Sequence, residues 1–272
     1  MTETVLVSLL CGQLLVPLET LPRDGHVAYT VWPCSSFLVN SLAGWRIRSR
    51  EHDVGVGEMI LNSDRIASHM EAWNRIEDSA KVQILMRTKW MSAMQGIRVL
   101  ELGSGTGIVG IALNALGANV VVTTDMPKCM CLLDSNVTSW NKVQKGGALV
   151  TSALAWERYL PGDIDRLLEG YDSDEKIIDI LVACDCVYGT EHIGRSPIVA
   201  IVSDFLMSKT ISRRIVIVAY ESRDDDIEES FWYQINQCQS LGHALVNICA
   251  ADAGEGNEKS ETTYQIHSIF KK

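Results

Sequence analysis

The sequence predicts a doubly wound α/β fold, a mostly parallel seven-stranded sheet that ends in an antiparallel pair. Three observations carry this. From residue 97 onward, short apolar runs alternate with longer helical ones. The first of these runs breaks into glycines and turns apolar again, in VLELGSGTGIVG (99–110). The last two runs, HALVNICA (243–250) and TYQIHSIF (263–270), are joined only by the polar stretch DAGEGNEKSE, with no helix between them. Strands joined that way pair as an antiparallel hairpin.

The elements follow in order. IRVLEL (97–102) reads as a buried strand, and IVGIALNAL as a helix ending at Gly117. NVVVTT (119–124) is the second strand, and MCLLDSNVTSWN the next helix. ALVTSAL (148–154) is the third strand, and IIDILVAC (177–184), after the polar loop GYDSDEK, is the fourth. RIVIVAY (214–220) is the fifth, preceded by a helix around IVAIVSDFL. Residues 1–96 read as an N-terminal extension packed over the cleft of a domain spanning 97–272. Within the extension, a strand is expected at GWRIRSRE (44–51), a helix at SDRIASHMEAW (63–73), and a second helix up to about Ala93.

Composition bounds the function. The chain has 272 residues, 47% hydrophobic and 21% charged, with a net charge of -10 and a pI near 5.1. That balance argues against a broad nucleic-acid surface, which needs clustered Lys and Arg, and favours a basic partner. The apolar VLVSLLCGQLLVPL near the N-terminus is interrupted at Gly12 and Gln13 and has no basic flank. It reads as a strand or helix packed on the domain, neither a membrane span nor a secretory signal. Eight cysteines without C-x-x-C pairs suit reduced thiols and a cytoplasmic or nuclear chain. Cys129-Met130-Cys131 and Cys184-Asp185-Cys186 lack the usual zinc spacing, so no metal is expected.

The glycine loop admits two ligands. Gly105, Gly107 and Gly110 match the G-x-G-x-x-G of a dinucleotide site, where pyrophosphate rests on the helix N-terminus. Gly103-Ser104-Gly105-Thr106-Gly107 matches the loop of an S-adenosylmethionine (AdoMet) site, whose ligand has no phosphate. Three features favour AdoMet. Glu101 precedes the first glycine, where a carboxylate can order the loop and meet the ligand's amine. The dinucleotide match starts two residues late, leaving Gly110 as a helix-packing residue, and the terminal hairpin suits a methyltransferase sheet. Asp125, ending the second strand, can accept both ribose hydroxyls of either cofactor.

VLELGSGTGIVGIAL, VVVTTDMP, LAWE (154–157), DILVACDCVY (179–188) and IVAYESRDDD (217–226), in that order, resemble the methyltransferase-like 21 group of protein-lysine methyltransferases. These are class I, seven-strand, AdoMet-dependent enzymes that modify non-histone proteins such as chaperones and translation factors. The resemblance implies that Gly103, Ser104 and Gly105 line the methionine end of AdoMet. It places Asp125 on the ribose, Met126 against the adenine and Trp156 beside it, with Cys184 where the group usually has alanine. Asp185 and Tyr188 form its D-x-x-Y motif, facing the transferred methyl as the catalytic pair. Asp185 would hold the incoming amine, and Tyr188 would contact amine or sulfonium. Glu221 and Arg223 match its YESR, as an ion pair at the cleft edge or as a substrate contact.

One departure stands out. The group carries a tryptophan upstream of the first strand whose ring covers AdoMet. By spacing that position falls on Leu61, within GVGEMILNSDRIASHM (55–70), whereas Trp32 in VWPCSSF resembles the motif locally but lies far earlier. The functional expectation is methylation of a protein lysine. The alternatives are a small-molecule or other side-chain methyltransferase, a non-catalytic methyltransferase-like binding protein, and a dinucleotide oxidoreductase. No nucleic-acid or membrane partner is expected.

Overall fold

The computed structural model describes residues 3–9, 14–20, 31–44, 94–144, 146–169, 171, 178–187, 196–207, 214–253 and 260–272. Seven strands form one sheet. They are β3 (Arg98–Leu102), β4 (Val120–Asp125), β5 (Ala148–Ala153), β6 (Ile180–Cys184), β7 (Ile215–Ser222), β8 (Leu241–Ala253) and β9 (Ser260–Lys271). Their spatial order is β5-β4-β3-β6-β7-β9-β8. β3, β4, β5, β6 and β7 run parallel, while β9 pairs antiparallel with both β7 and β8. Chain order reverses between β3 and β6, so a crevice opens beyond their carboxyl ends.

The central strands are apolar throughout because helices cover both faces of the sheet. Val99, Val121, Ile180, Val182 and Ile217 point into one core, and Leu100, Val122, Leu181, Val216 and Val218 into the other. The first core is closed by α1 (Pro33–Gly44), α2 (Ile108–Ala115) and α3 (Met130–Val143). The second is closed by α4 (Asp163–Leu168), α5 (Pro197–Met207) and α6 (Asp225–Gln237). Gly117, at φ 96°, stops α2: its amide donates to Asn114 O at 3.0 Å, and the amide of Ala118 to Leu113 O at 3.1 Å.

The N-terminal apolar run forms a hairpin of β1 (Glu3–Leu9) and β2 (Leu14–Thr20), with the break at Gly12 and Gln13 falling between them. Asn136 of α3 fastens this hairpin. Its Oδ1 accepts from Glu19 N at 2.7 Å, and its Nδ2 donates to Glu19 O at 3.1 Å and to Thr106 O at 2.9 Å. One side chain thus ties the hairpin to the glycine loop.

Three helices, α1, α4 and α6, go beyond the sequence reading. Asp224 caps α6, accepting from Ile227 N at 3.1 Å, and Ile227, Phe231 and Ile235 form its buried stripe. The D-x-x-x-E start and the four-residue apolar spacing were its signals. α1 occupies the chain just before the strand expected at 44–51; Gly44 closes this helix, and the rest of that strand lies outside the described residues. The helices expected at 63–73 and up to Ala93 lie outside them too. No described helix is long and apolar enough to cross a membrane.

At the far end of the sheet, α6 packs on the terminal hairpin through an aromatic cluster. Trp232 stacks on His267 and His243 at 4.1 and 4.6 Å between ring centroids, and donates its indole N–H to Tyr220 Oη at 3.1 Å. His267 Nε2 lies 2.9 Å from Gln265 Oε1.

Candidate functional site

The glycine loop is held in place by β4. Ser104 N donates to Thr124 O at 2.9 Å, and Thr124 N donates back to Ser104 Oγ at 3.1 Å. Thr124 Oγ1 donates to Glu101 O at 2.7 Å. Gly103, Gly105 and Gly107 all have positive φ, at 62°, 54° and 84°, where a side chain is strained. A Cβ on Gly103 would also fall 2.9 Å from both the Trp156 ring and Cys186 Sγ. Gly110 has a different role, since a Cβ there would meet Thr123 Cγ2 at 2.2 Å. It allows α2 to lie close on β4, as its reading as a helix-packing residue requires.

Asp125 closes β4 beside this loop. Its Oδ2 accepts from Gly105 N and its Oδ1 from Met126 N, both at 2.7 Å. The carboxylate therefore has a fixed orientation with lone pairs still free to accept from a ligand's hydroxyls. Glu101 is 2% exposed, and burial pushes its carboxyl pKa up to about 8. Its Oε2 has no hydrogen-bond partner among the described residues.

These residues line a cavity of about 240 Å³ at the crevice. Glu101, Gly103, Ser104, Gly105, Asp125, Met126, Trp156, Cys184 and Asp185 all face it. Tyr188 lies outside the described residues. Lining residues not expected from the sequence include Trp32, Ser35, Ile108, Val109 and Leu154.

Trp32 lines this cavity. It sits just before α1, and α1 packs on α2, β6 and β7, which sets the ring at the carboxyl ends of the central strands. Leu61, on which the roof position falls by spacing, lies outside the described residues.

Beyond β6 the chain turns sharply. Asp185 has φ 56°, the only non-glycine residue with positive φ among those described, and its amide donates to Ala219 O at 2.7 Å. Its carboxylate is gripped by Arg223 through two bonds of 2.9 and 2.8 Å. Arg223 also reaches Glu221 Oε2 at 2.7 Å and lies over the Trp32 ring, 5.0 Å from its centroid. The ion pair thus forms at the cleft edge, one of the two roles open for this pair. Cys184 lies beside Cys34, with 3.7 Å between sulfurs.

The profile of a lysine methyltransferase family matches residues 44–238. The chain belongs to this family. Among curated relatives, it is 27% identical over 188 residues to the protein-lysine N-methyltransferase rrg1 of Schizosaccharomyces pombe, covering 67% of this chain and 57% of that one. It is 35% identical over 121 residues to the protein N-lysine methyltransferase METTL21A of Danio rerio, covering 41% and 55%. With the EEF1A lysine methyltransferase 3 of Mus musculus it shares 40% over 77 residues, covering 27% and 32%. The matched stretches thus span between about a third and somewhat over half of these relatives' length. A solved methyltransferase-class structure complexed with SAH, the demethylated cofactor, superposes with a TM-score of 0.53 at 10% identity, over 99% of this chain and 56% of that one. That likeness speaks for the fold.

The cavity also fits AdoMet on its own chemistry. Asp125 offers oriented acceptors for a ribose diol, and Met126, Leu154 and Trp156 offer apolar walls for a flat base. Glu101 offers a buried carboxylate oxygen lacking a partner, suited to an ammonium group.

Proposed function

We propose that this chain is an AdoMet-dependent methyltransferase acting on a lysine side chain of another protein. The observation that carries the reading is the oriented Asp125 carboxylate beside the Gly103–Gly107 loop, within a chain of the lysine methyltransferase family. AdoMet, when bound, supplies an electrophilic methyl group. The chain's residues have three tasks. Glu101 and the loop receive the methionine end, Asp125 the ribose, and Met126 and Trp156 the base. Asp185 lies at the carboxyl end of β6, where it orients the incoming amine while the apolar wall disfavours its charged form. Alignment of the amine with the methyl group is then the main source of rate, as in other in-line displacements.

The stretch before β3 roofs the cleft through Trp32 and Ser35, and Tyr188 is assigned the amine channel by the D-x-x-Y likeness. The partner is a protein that presents a lysine; the relatives named for EEF1A point to translation factors, and the acidic chain suits a basic segment. Its free thiols, Cys34, Cys184 and Cys186 among them, suit the cytoplasm or nucleus.

The test is calorimetry with SAH and with NAD, followed by tritiated AdoMet in cell lysate. SAH should bind, and a protein band should be labelled at lysine and lost with Asp185→Ala. Binding of NAD alone would overturn the cofactor, and label on a small molecule would overturn the protein substrate.

A further inference from the structure

Arg223 is placed with unusual care for a side chain that is 40% exposed. Its backbone amide donates to Glu228 Oε1 at 3.1 Å, and the neighbouring Ser222 Oγ donates to Glu228 Oε2 at the same distance. Glu228 is buried in the first turn of α6. The junction of β7 and α6 is therefore fixed before the side chain leaves it. From there the guanidinium gathers three segments distant in sequence. It takes Asp185, 5% exposed, in a two-pronged grip at the end of β6. It takes Glu221 at the end of β7, and it covers the face of Trp32 ahead of α1.

Each contact uses a property that lysine lacks. The planar fork matches a carboxylate with two parallel bonds, and the flat cation stacks on an aromatic face. The two uses restrain each other. The fork sets the plane of the guanidinium, and that plane sets where the indole can lie. Asp185 in turn holds a left-handed backbone conformation, which persists where surrounding contacts over-determine it. Glu221 supplies a second negative charge to the same guanidinium nitrogen that reaches Asp185 Oδ2, and so holds the cation, which lines the cavity, from a second direction.

We propose that Arg223 is a positioning residue of this site, locking the Asp185 carboxylate and the Trp32 ring into one unit with Glu221 as its outer counter-charge. It acts through those two groups and not by touching the cofactor. The two carboxylates and one guanidinium of this cluster carry one net negative charge. That suits a cationic amine as the arriving group. This rests on the methyltransferase reading, and the test separates the two.

The full chain is labelled with 5-fluorotryptophan, giving one fluorine resonance for each of seven tryptophans. The Trp32 signal is assigned by its loss in Trp32→Phe. In Arg223→Gln it should shift and broaden while the tryptophans of the aromatic cluster and of α3 stay in place. Arg223→Lys, which keeps the charge, should restore it only in part. In SAH calorimetry, Arg223→Gln should weaken binding about tenfold. Adding it to Trp32→Leu should weaken binding no further than Trp32→Leu alone. An unchanged Trp32 resonance in Arg223→Gln, or full recovery in Arg223→Lys, overturns the proposal, as do SAH effects that simply multiply. A wild-type protein that ignores SAH overturns the methyltransferase reading, and the fluorine spectra still decide the role of Arg223.

Discussion

Gly110 sits in the first turn of α2, where Ala would ordinarily add up to about 1 kcal/mol of helix stability. Here the sign should reverse. The added Cβ would lie 2.2 Å from Thr123 Cγ2 and 2.7 Å from Glu101 Oε2. Carbon atoms in contact sit about 3.5–4.0 Å apart, so helix and strand must part by more than about 1 Å. Thr123 cannot swing away, because it is fully buried and its Oγ1 donates to Val150 O at 2.9 Å. Overpacking of this kind costs about 1–3 kcal/mol, and a 2.2 Å approach to a fixed neighbour puts this site in the upper half of that range, so against the helix gain a net loss of about 1–2 kcal/mol remains. Urea denaturation of Gly110→Ala should show it as a lower midpoint at unchanged slope. Thr123→Ser removes the offending methyl and keeps the hydroxyl, so it should restore most of the loss in the double variant. A Gly110→Ala protein as stable as the parent, or one that Thr123→Ser does not rescue, would refute this account of the helix-strand contact.

Three further outcomes follow from the site and the sheet. With Glu101 pushed up to about 8, SAH binding at pH 7 should release a proton, tighten as pH rises and level off above about 8. Calorimetry in buffers of different ionisation enthalpy reads this, and Glu101→Gln should abolish the release. Burial, helped by nearby His243, lowers the His267 pKa from 6.5 to about 4. The folded state therefore favours the neutral ring, and its contribution is full above about pH 6.5 and lost as pH falls toward 4. That is a loss of up to about 3 kcal/mol, read by thermal melts across this range and flattened in His267→Gln. Asp125→Ala should lower SAH affinity by at least about a hundredfold, since it removes the ribose acceptors and leaves the Gly105 amide without its partner.

The sheet was legible because its strands obey a single rule. Helices cover both faces of the parallel strands, so these read as mainly apolar runs, and the glycines and aspartates at their carboxyl ends stand out against them. The loop and Asp125 were readable for that reason. α6 escaped because its polar face dominates the stretch, and only Asp224 with the Ile227, Phe231 and Ile235 stripe announces it. The place of Trp32 on the cavity is not legible in spacing, because spacing along a chain measures contour, whereas α1 reaches the cleft by packing on α2 and the central strands. The YESR stretch suggests an ion pair of Arg223 with Glu221, but the grip of Arg223 on Asp185 and its bridge to Trp32 are not visible there, because contacts across three segments leave no local pattern.

The left-handed backbone at Asp185 sets two demands against each other at one residue. Glycine adopts that conformation freely, whereas most residues pay about 1–2 kcal/mol for it and Asp less than most. Asp185→Gly would recover that small strain but strand the Arg223 guanidinium without its two-pronged partner, which costs more. In this chain the ion pair, and not the ease of the backbone, keeps an acid at the end of β6.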